Sequence, residues 1–103
     1  MSAPWIGFKR WRLRAGITET ALIALVRNEI VPHYRTLDPQ VTLGLVRSDI
    51  PRQYVATQQW PSGGYRKQVC SGDRYTRWFD EYLPILARFD VLAEFAGEID
   101  RGD

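Results

Sequence analysis

Imidazole is the side chain best suited to proton transfer near neutral pH, and this chain has one, His33. It follows Pro32 in an amphipathic stretch. It can serve as a general base in a pocket, or as a helix-end imidazole hydrogen-bonded beside a proline kink. Glu29, near the buried edge of the same stretch, is a second candidate base, a role that requires shelter from water. Trp60 closes an alternating run; its indole can stack on a flat substrate and donate its N–H to a ketone or phenolate oxygen, or simply cap a core. Trp11, Tyr75 and Trp78 are candidates for the same pocket, each with a core role as the competing explanation. Tyr34 and Tyr65 flank the kink and the loop after Trp60, where either can shape a pocket mouth. Arg10 and Arg12 can stabilise an enolate or phenolate, or pair with acids across strands. Cys70 lies near a helix start but has no histidine beside it, which favours a structural role. Gly63-Gly64 lacks the spacing of a phosphate loop.

Composition narrows the classes further. One His and one Cys argue against a structural zinc site, and no cofactor is expected. The lone cysteine rules out an intrachain disulfide and fits a reducing compartment. No run approaches the ~20 apolar residues of a membrane span, and the start, Met1-Ser2-Ala3-Pro4, lacks a secretory layout; the expected location is cytoplasmic. Net charge is +2 and the basic residues are dispersed, so nucleic acid is not an expected partner. The 103 residues suit one domain, 1–103. Four Trp, five Tyr and four Phe exceed what so small a core requires, so some should line an interface or a pocket.

The elements that would position these residues follow from periodicity. Residues 5–13 alternate as a strand, with Trp5, Gly7, Lys9, Trp11 and Leu13 on one face and Ile6, Phe8, Arg10 and Arg12 on the other. Thr18 is a helix N-cap and Glu19 favours the first turn. Leu22, Leu25, Val26, Ile30, His33 and Leu37 form one helical stripe, which Pro32 should bend or restart. Strands are expected over 41–47 and 53–60, joined by a hairpin. Ser62-Gly63-Gly64 reads as a mobile loop. A second helix from about Asp73 carries Tyr75, Trp78, Phe79, Tyr82, Leu86 and Phe89, with a kink or break at Pro84. A last strand alternates over 91–99, and the tail 100–103 reads as frayed.

The order is β-α-β-β-α-β, an α+β plan of the ferredoxin-like kind with a four-stranded antiparallel sheet. Right-handed crossovers place both helices on one face. The other face is left uncovered, and an apolar face of that size is unusual on a monomer. A twofold homodimer is therefore expected.

Several segments also resemble one family. Trp11-Arg12-Leu13-Arg14-Ala15-Gly16 is similar to its Trp-Arg-Val-Lys-Pro-Gly strand exit, with Ala15 standing where Pro is frequent. Tyr54-Val55-Ala56-Thr57-Gln58-Gln59-Trp60-Pro61-Ser62 resembles its third strand, and Arg77-Trp78 with Tyr82 fits its aromatic second helix. The family is the antibiotic biosynthesis monooxygenase domain of the dimeric α+β barrel superfamily. The resemblance implies a dimeric α+β barrel with a pocket in each subunit between sheet and helices. It also implies cofactor-independent oxygenation of a small aromatic or polyketide-like substrate. The haem-cleaving branch uses an Asn on the first strand and a His on the second helix, and neither is present here. A non-catalytic ligand-binding or structural homodimer is the alternative expectation.

Overall fold

A computed structural model describes residues 3–98, Glu98 by its backbone only. The architecture is α+β: β1 (Trp5–Leu13), α1 (Glu19–Leu25), a π-turn (Val26–Ile30), α2 (Val31–Leu37), β2 (Thr42–Arg47), β3 (Gln53–Trp60), α3 (Gly63–Val69), α4 (Gly72–Leu92) and β4 (Ala93–Glu98). The four strands form one antiparallel sheet in the order β2-β3-β1-β4. That order is compatible with a ferredoxin-like fold.

Pairing register carries the strand faces seen in the sequence across the sheet. Trp5 stands opposite Trp60, Lys9 opposite Ala56 and Trp11 opposite Tyr54, and Leu45 pairs with Ala56 on the far side of β3. On this face the helices pack, burying Leu13, Leu22, Leu37, Trp60, Trp78 and Phe89 among others. Ile6, Phe8, Val46 and Val55 stand on the opposite face and belong to no part of that core. The register shifts by one residue between Arg10 and Trp11, and Gly97 takes φ 121° there, a conformation open to glycine.

Four local expectations are corrected. Pro32 does not restart the first helix, which runs without interruption past it. The chain instead widens into a π-turn in which the Val31 N–H reaches back five residues to the Val26 carbonyl, a bulge that absorbs local strain within a continuous helix. Residues 62–64 are not a loop: the Ser62 hydroxyl caps α3 by accepting from the Tyr65 N–H at 3.0 Å. Pro84 lies inside an unbroken α4. It and Asp80, whose carbonyl loses its partner, are both exposed, so water can serve that carbonyl. The last strand begins at Ala93, because Val91 and Leu92 complete α4. Ile99 and the tail 100–103 lie outside the described residues.

Thr18 caps α1 as expected, accepting from the Ala21 N–H at 3.2 Å. Glu19, in the first turn, accepts from the Tyr54 hydroxyl at 2.6 Å and from Arg47 Nε at 2.8 Å. The Arg47 guanidinium first, and the Tyr54 hydroxyl second, pull its carboxyl from the ordinary 4.5 down to about 2. A carboxyl depressed in the folded state stabilises above its ordinary pKa, and that stabilisation disappears as pH falls through the folded value. The melting-temperature gap between wild type and Glu19→Gln is therefore expected to close between about pH 5 and about pH 2. Thermal melts across that range check this; a constant gap would refute the assignment.

Candidate functional site

Between the inner sheet face and the helices lies a cavity of roughly 400 Å³, within the size range of small-molecule sites. Trp5, Gly7, Lys9 and Trp11 of β1 form its floor with Leu43 and Leu45 of β2 and Ala56 and Gln58 of β3. Val26, Ile30 and Tyr34 form one side of the roof, and Phe79, Tyr82, Leu86 and Phe89 of α4 the other.

Gly7 determines how the floor is laid. A Cβ at this position would sit 2.7 Å from Cη2 of Trp5, closer than real Cβ contacts come. Glycine thus allows the Trp5 ring to lie back over the strand. The Arg66 guanidinium of α3 covers that ring, 4.1 Å from its centroid, a cation–π contact. Trp11 is fixed at the other end by Phe89, edge-on at 4.7 Å, and by Phe95 at 5.3 Å.

A short polar line crosses the apolar wall. The Trp60 indole N–H donates to Gln58 Oε1 at 2.7 Å. That fixes the amide so that Gln58 Nε2 points at the Tyr34 hydroxyl, 3.4 Å away. Burial first, and nearby tyrosine second, push the Tyr34 phenol above its ordinary pKa. Burial raises Tyr82 strongly as well, with Tyr34 next in effect. Both remain neutral phenols at physiological pH, so they offer hydrogen bonds and not negative charge.

The residues singled out in the sequence separate into two groups. Tyr34 and Trp11 line the cavity; His33, Glu29, Trp60, Tyr75 and Trp78 do not. The π-turn accounts for the exchange of His33 for Tyr34. One extra residue in the turn rotates everything after it, so Val26, Ile30 and Tyr34 share the inner face. His33 is turned toward α4. Its Nε2 donates to the Trp78 carbonyl at 3.1 Å, and its ring stacks on Trp78 at 4.8 Å and on Tyr82 at 5.4 Å. The Trp78 indole N–H donates back to the His33 carbonyl at 2.8 Å. The imidazole fastens α2 to α4.

Glu29 faces a shallow outer groove with Ala21, Leu25 and Val91, where Arg88 grips its carboxylate, Nη1 at 2.7 Å. Trp60 is 1% exposed and acts behind the wall, through Gln58. Tyr75 stacks on the outer side of Trp78 at 5.8 Å. Arg12 pairs with Glu94 at 3.0 Å. The Cys70 thiol is raised above its ordinary pKa, chiefly by burial, which opposes a nucleophilic role.

Lys9, Gln58, Arg66 and Trp5 were not among the expected site residues, although alternation already put Trp5, Lys9 and Trp11 on one strand face. Arg66 carried no such signal, because its helix reads as a loop. Among the described residues no cluster of three or more His, Cys, Asp or Glu is placed to hold a metal, and no helix is long and apolar enough to cross a membrane. Compared with protein-family models, curated proteins and solved structures, the chain finds no match.

Proposed function

We propose that this protein binds a flat aromatic or polyketide-like molecule between its sheet and its helices and oxygenates it without a cofactor, as the monooxygenase domains it resembles do. The observation that carries the reading is the roughly 400 Å³ cavity, whose aromatic walls include Trp5, Trp11, Phe79 and Phe89 beside a limited set of polar side chains. In this chemistry a phenolic substrate loses a proton and passes an electron to dioxygen. One oxygen atom enters the ring as a carbonyl and the other leaves as water with the two displaced hydrogens. Lys9 and Arg66 border the cavity, and fixed positive charge lowers a phenol's pKa. The substrate then gives its proton to water, with no carboxylate or imidazole base needed. Gln58 Nε2 and the Tyr34 and Tyr82 hydroxyls are donors for the oxyanion that develops.

An oxygen electrode tests this with a tricyclic hydroxyanthrone as substrate. Saturable uptake of one dioxygen per molecule is expected, with His33→Ala and Glu29→Ala within about twofold of wild type. Saturable binding with no oxygen uptake would favour a ligand-binding protein without turnover. The placement of His33 and Glu29 outside the cavity lining favours that second reading.

The reading includes a homodimer in the manner of an α+β barrel. Its support is the outer sheet face, where Ile6, Phe8 and Val55 are only half-buried and Val46 is 57% exposed. A second sheet is the natural cover for such a face. Light scattering at micromolar concentration is expected to give twice the 11.9 kDa chain mass; a monomer would overturn the dimer.

A further inference from the structure

We infer that the molecule held in this cavity is an aromatic carboxylic acid, its carboxylate gripped by the edge of the Arg66 guanidinium. The inference rests on the cavity reading above and narrows its ligand. Arg66 borders the cavity, and its Nε is buried with no hydrogen-bond partner among the described residues. A buried donor left unmade is costly, and native structures hold few. The nitrogen belongs to a cation, which sharpens the mismatch. Arg12, Arg14, Arg47 and Arg88 each meet a carboxylate, whereas no Asp or Glu lines this cavity. Arg10 also has an unpartnered Nε, but it lies on the opposite sheet face.

The guanidinium is held in place by the ring beneath it and through its helix. Trp5 supports its face at 4.1 Å. Its helix is tied down by the Ser62 cap and by the Tyr65 hydroxyl, which donates to Asp38 Oδ2 at 2.6 Å. Nε and a neighbouring Nη present two parallel N–H groups, a fork that matches the two oxygens of a carboxylate. Trp5 and Trp11 line the same cavity, so the ligand's charge and its aromatic body are recognised side by side.

Calorimetric titration of the full chain with 2-naphthoate and with 2-naphthamide separates charge from shape. Wild type is expected to bind the naphthoate at least about tenfold tighter. Arg66→Gln should bring the two within about twofold by weakening the naphthoate alone, and Arg66→Lys, which keeps the charge without the fork, should fall between. A role confined to supporting Trp5 would weaken both ligands equally and would overturn the inference. Equal wild-type affinities, or a preference that survives Arg66→Gln, would overturn it too while leaving the cavity reading intact. Failure of wild type to bind either compound overturns both.

Discussion

Replacing Ala56 by phenylalanine is expected to weaken binding of 2-naphthol at least about tenfold while leaving the protein folded and its melting temperature unchanged or slightly raised. Ala56 sits at the middle of β3, with Lys9 and Leu45 as its partners on either side, and it faces the cavity. Adding a ring to a packed core forces neighbours off their rotamers and destabilises. Here the added ring enters roughly 400 Å³ of existing space, where filling a void tends to stabilise. The phenyl occupies the volume that the ligand needs. Fluorescence titration and a thermal melt on the same sample separate the two effects. Undiminished naphthol binding would mean that the ligand sits elsewhere.

Trp60→Ala is expected to act in the opposite sense, through the fold. Trp60 is 1% exposed, faces Trp5 across the strands and packs near Tyr65, with ring centroids 6.2 Å apart. Truncating a buried tryptophan costs about 3–5 kcal/mol. In a domain of this size that lowers the melting temperature by at least about 12 °C. Trp60→Phe keeps most of the ring but removes the N–H that holds Gln58 Oε1, at a cost near 1 kcal/mol. It should weaken ligand binding by releasing the amide. Calorimetric melts check the first variant; a drop under about 4 °C would show that Trp60 carries little of the core.

Much of the fold was legible because its signals are local. Alternation along 5–13 placed Trp5, Gly7, Lys9 and Trp11 on one face, and pairing to β3 kept them there. Thr18 capped its helix. What was not legible depends on surroundings. Gly63-Gly64 looks like a loop until Ser62 is seen capping the helix they start. A proline at 84 is tolerated on an exposed stretch of helix, where Asp80 and Pro84 both stand in reach of water, a fact of position and not of sequence. The π-turn had the greatest consequence. It widens one turn by one residue and thereby brings Tyr34, instead of His33, to the cavity. Chemical reactivity alone marks His33 and Glu29 in the sequence, yet packing gives both of them partners on other surfaces. The polar groups at the cavity are less reactive types. Gln58 is set by Trp60, the tyrosines are kept neutral by burial, and Arg66 is supported by an indole.

Whether the ligand lies between sheet and helices is read from ¹⁵N–¹H correlation spectra recorded during addition of 2-naphthol. The indole N–H signals of Trp5 and Trp11, whose rings line the cavity, are expected to shift saturably with the amide signals of Gln58. The Trp78 indole, which donates to the His33 carbonyl outside that lining, should move least. Shifts confined to Trp78 and the His33 ring, with Trp5 and Trp11 unmoved, would place the ligand outside this cavity.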